Sequence, residues 1–176
     1  PMKVILNKVF FVLIVFILMS CTKDSDAQET TLALNKEIAQ KILEKTNEIR
    51  KAVGKSVLVQ NDEMDALATL HSENMVLYDF FDHVDHEGKT PAERADDLSY
   101  SWTSIAENIG KVPWFENVNG CGDTRSAEAI SSCVVEGWEN SPGHYTNMIG
   151  DYAELGIGIA FTKDSLAFFT QVFRNP

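Results

Sequence analysis

The chain contains two residue types that can do chemistry at neutral pH, four histidines and three cysteines. Neutral imidazole nitrogens bind divalent cations such as Zn²⁺, and histidine also transfers protons near pH 7. The histidines stand at His71, His83, His86 and His144, and positions so far apart along a chain predict no shared site by themselves. The sequence has no His-Glu-x-x-His pattern, no phosphate-binding glycine loop and no Gly-x-Ser-x-Gly turn around a serine. The residues alone therefore define no catalytic set.

The start of the chain predicts an export signal. Two lysines precede an apolar run over residues 9–19, which is shorter than the roughly 20 residues that a membrane span needs. Leu18-Met19-Ser20-Cys21 resembles a bacterial lipobox, in which the cysteine thiol receives the lipid. We therefore predict a lipoprotein signal peptide over residues 1–20 and lipidation at Cys21. An uncleaved membrane anchor is the alternative.

The residues after Cys21 are polar and acidic, and they predict a flexible tether over residues 21–34. A tether behind a lipid anchor places the rest of the chain in a bacterial cell envelope, either in the periplasm or on the cell surface. The whole chain has 26 acidic and 15 basic residues, with a net charge of −11. Because nucleic-acid phosphates are held by basic surfaces, this balance argues against nucleic acid as a partner.

Two cysteines remain beyond the export signal, Cys121 and Cys133. An exported protein folds in an oxidising environment, so we predict a disulfide between them. Two free thiols are the alternative. A metal site built on this pair is disfavoured, because no further cysteine and no nearby histidine would complete it.

The mature part of the chain shows helical and strand patterns in an order typical of α+β domains. Apolar residues at helical spacing come first and a hairpin pattern comes last, which indicates helices covering an antiparallel sheet rather than a doubly wound parallel sheet. Residues 104–110 are partly strand-like, and residues 111–123 predict a loop. The predicted helices are 35–53, 63–78, a short one from Thr90 and 125–139; the predicted strands are 155–161 and 166–173.

Four segments of this domain carry more specific patterns. The first has an aromatic residue, a histidine, an acidic turn with glycine, and then proline and arginine. The second is built on a Glu-Asn pair, the third joins a tryptophan to Gly-His-Tyr-Thr-Asn, and the fourth is a glycine-containing hairpin. They are Phe80–Arg94, Ala106–Ile109, Trp138–Met148, and Gly156–Ala160 with Phe169–Phe173. In this order they resemble the CAP family, which comprises cysteine-rich secretory proteins, antigen 5 and pathogenesis-related 1 proteins. The resemblance covers roughly residues 36–174.

The resemblance implies a three-layer α-β-α sandwich over residues 35–176, with a central antiparallel sheet and a shallow cleft. In that family two histidines and one or two acidic residues face the cleft. Here His83 and His144 match the histidines and Glu107 matches the acid. Glu107 is then a cation ligand, a group that orients a histidine, or a base acting on bound water.

Three residues are weaker candidates for the same cleft. The family's second glutamate has no clean match in this sequence, and Glu136 or Glu139 would have to replace it. His86 follows His83 by three residues and is expected to be exposed in the turn. The constellation of four residues is therefore expected to be a triad here.

The remaining polar residues near these motifs have structural interpretations. His71 falls on the apolar stripe of the second helix, so we expect a satisfied histidine in the core. Asp82 and Asp85 are expected to be solvated turn residues, and Arg94 is expected to pair with an acid across the domain. His144 follows a turn or helix-start pattern, and a capping role is its alternative.

The sequence thus predicts a binding module of the cell envelope, with no catalytic residues assigned. Its cleft would hold a divalent cation such as Zn²⁺, or a lipid, glycan or protein ligand, and no other cofactor is implied. One alternative is a metal-dependent, peptidase-like hydrolase that uses His83, His144 and Glu107. Another is a structural or interaction domain without a ligand, in which these side chains stabilise the fold.

Overall fold

The computed structural model describes the backbone of residues 2–176 and the side chains of residues 26–176. The predicted signal peptide and the side chain of Cys21 lie outside the residues whose side chains are described. Two compact units comprise residues 1–34 and 35–176. No helix in the described part of the chain is long and apolar enough to cross a membrane.

Five helices and four strands make up the described part of the chain. Their bounds are α1 Met2–Ala52, β1 Val59–Gln60, α2 Asp62–Leu77, α3 Pro91–Asp97, β2 Ser104–Pro113, α4 Ala127–Glu139, α5 Pro142–Met148, β3 Glu154–Phe161 and β4 Leu166–Asn175.

Residues 21–34, predicted as a flexible tether, belong to α1 in the structure. Composition suggested disorder, but residues 22–34 contain neither glycine nor proline, the two residues that break helices most strongly. The hydroxyls of Thr30 and Thr31 donate to the carbonyl oxygens of Asp26 and Ala27, one turn earlier. These polar side chains are therefore compatible with helical backbone.

Local sequence signals fix where three helices begin. The side chain of Asn61 accepts from the backbone of Glu63 at the start of α2. Thr90 and Glu93 form a reciprocal capping box at the start of α3, with Pro91 in its first turn. Ser126 caps α4 through the backbone N–H of Ala129.

The sheet has the strand order β1-β3-β4-β2, so β2 is an edge strand. β4 pairs antiparallel with both β2 and β3, whereas β1 pairs parallel with β3. The predicted α+β fold is confirmed, but the sheet is mixed rather than purely antiparallel. β1 has only two residues, too few to show a periodic pattern. β2 also continues to Pro113 through residues predicted as loop, and proline is tolerated there because β2 lies at the edge.

Helices cover the sheet on both faces. On one face α2 packs so closely that a Cβ atom at Gly158 would overlap the backbone of Ala68. Ala95 of α3 packs into the same layer, in a cluster with residues of α2. On the other face the indole Nε1 of Trp138 in α4 donates to the carbonyl oxygen of Ile109 at 2.9 Å. The domain is therefore the predicted three-layer α-β-α sandwich.

Candidate functional site

Alternation along β2 places Glu107 and Asn108 on opposite faces of the sheet. The Glu107 side chain points toward α2 and α3 and is almost fully buried. Its Oε2 accepts from Nη2 of Arg94 at 2.5 Å, and its Oε1 lies 2.9 Å from Nδ1 of His83. Both carboxylate oxygens are therefore engaged by side chains of this chain.

Arg94 also holds the loop that carries His83. Its Nη1 donates to the carbonyl oxygens of His83 and Lys89, while Nη2 binds Glu107. Because α3 begins with a capping box and proline, Arg94 enters the site from a defined helical position. The expected partnership between Arg94 and an acid across the domain is thus with Glu107.

His83 is the half-exposed member of this cluster. A carboxylate only accepts hydrogen bonds, so Nδ1 of His83 carries the proton that faces Glu107, and in the neutral imidazole Nε2 is the acceptor. The hydrogen bond to Glu107 raises the pKa of His83 above its ordinary value, against the opposing effect of partial burial. Glu107 therefore acts on His83 as an orienting carboxylate, one of the three roles expected for it.

His71 joins the same cluster from α2, which the sequence did not indicate. The side chain is completely buried, and its Nε2 lies 3.0 Å from the carbonyl oxygen of Asp82 and 3.7 Å from Oε1 of Glu107. Its Nδ1 has no hydrogen-bond partner within the described residues, so the expectation of a fully satisfied core histidine is corrected. Burial lowers the pKa of His71, and the charge of Glu107 only partly offsets this effect.

The acidic turn divides into one buried and one exposed aspartate. Asp85 is buried, and its Oδ1 accepts from the backbone N–H groups of Glu87 and Lys89, whereas Asp82 is exposed. The expectation that both are solvated is therefore wrong for Asp85, whose buried side chain stabilises the turn through these backbone hydrogen bonds. His86 is exposed and stacks on Tyr78 with ring centroids 3.6 Å apart.

His144 approaches β2 from the other face, on α5. The amide nitrogen of Asn108 donates to the carbonyl oxygen of His144 at 3.1 Å. The amide nitrogen of Asn147, one turn further along α5, donates to the carbonyl oxygen of Glu107 and to Oδ1 of Asn108. Nδ1 of His144 is buried without a partner in the described part of the chain. Burial lowers the pKa of His144, and the nearby charge of His83 lowers it further.

A cavity of about 510 Å³ runs along the outer edge of β2. Five consecutive strand residues, Ile109–Pro113, line it, which shows that it follows the strand edge rather than one face of the sheet. His144 lines this cavity, whereas His83 and Glu107 do not. The other lining residues come from the loop before α3, the loop before α4, α4 itself and the start of α5: Phe81, Val118, Asn119, Cys121, Cys133, Val134, Gly137, Trp138 and Ser141.

A disulfide joins Cys121 to Cys133 and forms part of the cavity wall. It links the loop before α4 to α4 itself, so the loop cannot separate from the helix while the bond is intact. Glu136 and Glu139 are exposed on α4 and do not line the cavity, although their neighbours Gly137 and Trp138 do. Neither of these two weaker candidates is therefore part of the cavity wall.

The donor set falls short of a resident metal centre. No group of three or more histidine, cysteine, aspartate or glutamate side chains in the described residues is arranged to hold a metal ion. Zinc in catalytic sites takes three protein ligands. Here the Glu107 carboxylate is occupied by Arg94 and His83, so only imidazole nitrogens remain to offer. The side chains as placed do not fit a closed zinc site.

Comparisons with known proteins agree with this architecture. The pattern of the cysteine-rich secretory protein family, CAP, matches residues 43–173. The uncharacterized membrane protein YlbC of Bacillus subtilis is 29% identical over 121 residues, which cover 68% of this chain and 31% of that protein. The chain therefore spans about a third of the length of this curated relative.

Two solved structures share the fold. An extracellular protein with an SCP domain from Bacillus anthracis superposes with a TM-score of 0.63 at 23% identity, covering 81% of this chain and 41% of that chain. An outer surface protein from Borrelia burgdorferi superposes with a TM-score of 0.62 at 21% identity, covering 76% of this chain and 88% of that chain. The family match spans most of the chain, and the chain belongs to the cysteine-rich secretory protein (CAP) family.

Proposed function

We propose that this chain is an exported binding module of the bacterial cell envelope, which holds a ligand in the cavity beside β2 and is anchored to the membrane through a lipid on Cys21. The cavity itself carries the proposal. It is large enough for a small organic molecule or a few residues of peptide, and its wall is mostly apolar with few polar groups, as is typical of ligand sites. Two structural neighbours described as an extracellular and an outer surface protein support the location.

The arrangement of Glu107 favours binding over hydrolysis. A glutamate that acts as a base on water needs a free carboxylate oxygen within reach of that water. Both oxygens of Glu107 are engaged, and the carboxylate is almost fully buried beneath His83 and Arg94. The alternative of a metal-dependent hydrolase therefore lacks its base in this geometry.

A divalent cation takes a secondary place in the proposal. The charge of His83 lowers the pKa of His144, and imidazole nitrogens are suitable ligands for zinc. With two protein ligands and water completing the shell, the ion would exchange readily rather than remain as a cofactor. Calorimetric titration of the chain with Zn²⁺ tests this part, with the double variant His83→Ala/His144→Ala as the comparison.

The binding proposal is tested by blocking the cavity without disturbing the fold. Gly137 lies in α4, lines the cavity, and has no atom within 4 Å of the place a Cβ would occupy. Leucine at this position would project into open space, and it favours helix over glycine by up to about 1 kcal/mol. The matched control is Glu136→Leu, which adds the same side chain to an exposed position on the same helix.

The probe is 8-anilinonaphthalene-1-sulfonate, which combines an aromatic body with an anionic group. Binding is measured by the fluorescence of the probe. We expect it to saturate at one probe per chain. Gly137→Leu should weaken it at least about tenfold, the factor for about 1.4 kcal/mol of lost interaction, and Glu136→Leu should leave it unchanged. Equal binding by all three proteins would show that the cavity is not the site.

A further inference from the structure

The hydrogen-bond register of β2 decides which of its backbone groups face outward. Pro113 is paired with Leu166, and the next residue, Trp114, donates its N–H to the carbonyl oxygen of Ser165. Even-numbered residues of β2 therefore bond to β4. Because bonding alternates along an antiparallel edge strand, odd-numbered residues direct both N–H and C=O away from the sheet.

Side chains from elsewhere in the domain cover most of this outward row. The carbonyl oxygen of Glu107 accepts from Asn147 at 3.1 Å, and that of Ile109 accepts from Trp138 at 2.9 Å. At the far end, the carbonyl oxygen of Pro113 accepts from the hydroxyl of Thr124 at 2.5 Å. These three bonds agree with the register and close the edge on both sides of Lys111.

Lys111 lies in the gap between these covered positions. Within the described residues, nothing bonds its outward N–H or C=O, and the N–H of Ile109 is equally free. Unpaired groups on an exposed edge form a template on which another strand can add. The open stretch coincides with the part of β2 that lines the cavity.

The two sides of this gap differ in chemistry. Side chains of odd-numbered residues lie on the α2 face, where Nζ of Lys111 is 4.8 Å from the centre of the Phe81 ring. The α4 side of the gap is apolar, with Val134 and Trp138 in the cavity wall next to Gly110. A strand added here would present alternate side chains to these two environments.

Charge indicates what the added strand would carry. Lys111 is exposed, and none of the ion pairs among the described residues includes it, although the chain has a net charge of −11. The acid nearest along β2, Glu107, is buried and already paired with Arg94. A cation at the mouth of an apolar cavity complements a carboxylate on the occupant.

We propose that the cavity binds an extended peptide that adds to the edge of β2 opposite Lys111. Residues directly opposite one another share a face, so an acidic residue opposite Lys111 meets the ammonium group. Its two neighbours then direct apolar side chains toward Val134 and Trp138. This mode of recognition takes affinity from main-chain bonds and specificity from the alternating side chains. The inference rests on the proposed function and names the ligand class of that site.

The test uses the full chain labelled with ¹⁵N and blocked pentapeptides of defined sequence. The first has threonine at both ends and valine on either side of a central aspartate. The second has lysine in the centre, and the third is the first peptide with its inward amides N-methylated. The readouts are the affinity and the shifts of the Lys111 and Ile109 amide signals.

We expect the aspartate peptide to bind and to shift both amide signals. The lysine and N-methylated peptides should bind at least about tenfold more weakly than the aspartate peptide, because each loses one class of contact. Lys111→Glu should reverse the preference between the aspartate and lysine peptides, and since Lys111 is exposed this variant retains the fold.

Equal binding of the N-methylated and unmodified peptides would overturn strand addition. If none of the peptides shifts the Lys111 amide signal while Gly137→Leu still weakens binding of the naphthalene probe, the peptide inference is wrong and the proposed function stands. If neither the probe nor the peptides bind, both fail.

Discussion

Glu107 and Asn108 are neighbours on β2, yet they hold opposite faces of the domain with different chemistry. On the α2 and α3 face, Glu107 is a buried anion with Arg94 and His83 as its partners. On the α4 and α5 face, Asn108 is a buried neutral amide that bonds to Asn147, to Gln171 and to the backbone of His144. Gln171 in turn donates to Thr46 of α1.

The difference shows how the cavity edge is held in place. The anionic cluster depends mainly on the ion pair between Glu107 and Arg94. Removing one partner of a buried ion pair destabilises the fold strongly, because it leaves the other charge buried without compensation. The amide network distributes its energy over several weaker bonds that join α1, α5 and the sheet. Asn147 connects the two, because it bonds both to the carbonyl oxygen of Glu107 and to the side chain of Asn108.

Removing the buried charge should produce the largest effect. Glu107→Gln leaves the guanidinium of Arg94 without its counter-charge, and we expect a loss of about 3–5 kcal/mol in the free energy of unfolding. Urea denaturation measures it. The double variant Glu107→Gln/Arg94→Met, which also removes the unpaired cation, should recover part of the loss. A change below about 1 kcal/mol would contradict the role assigned to this pair.

Breaking the neutral network should cost less. Asn108→Ala removes the amide that bonds to Asn147, Gln171 and the His144 backbone. The buried amide oxygen of Gln171 then loses its partner, whereas Asn147 keeps its bond to the carbonyl oxygen of Glu107. We expect a loss of about 1–3 kcal/mol in the same urea experiment. A cost as large as that of Glu107→Gln would show that the two faces do not differ as described.

The pH dependence of stability should reveal His71. Its pKa is lowered by burial, so the unfolded chain binds its proton more tightly than the folded chain does. The contribution is therefore present above the unfolded pKa of about 6.5 and is lost as pH falls below it. His71→Gln, which keeps a donor for the carbonyl of Asp82, should lose less stability between pH 7 and pH 5 than the unmodified chain. Parallel profiles would contradict this assignment.

The smallest effect is expected for His83, whose side chain is about half exposed. Its bond to Glu107 is partly screened by solvent, so His83→Ala should cost about 0–1 kcal/mol by urea denaturation. Glu107 keeps its bond to Arg94 in this variant, which explains the contrast with Glu107→Gln. A loss of several kcal/mol would place His83 among the residues that hold the fold.

The sequence predicted local features more fully than the site. The helices that begin after Asn61 and Thr90 and the final hairpin follow from short-range signals. The resemblance identified Glu107, His83 and His144. It did not indicate that only His144 lines the cavity. Their positions relative to the cavity depend on the register of β2, which no periodic pattern in the sequence reveals.

The missed residues share a physical reason. The glycine, proline and asparagine residues that follow Lys111 predict a loop, yet pairing with β4 extends the strand through it. The helical pattern predicts an ordinary core residue at His71, because its approach to Glu107 depends on how α2 packs against the sheet. Gly137 carries no side chain, so its position in the cavity wall leaves no signal in sequence.

The central claim is that the functional surface of this domain is the cavity along β2. An ¹H–¹⁵N NMR titration of the full chain with 8-anilinonaphthalene-1-sulfonate tests it most directly. We predict that the amide signals of Lys111, Val134 and Gly137 shift together and saturate at one probe per chain. Shifts confined to the exposed apolar residues Leu77 and Tyr78 at the end of α2, with Lys111 and Val134 unchanged, would contradict it.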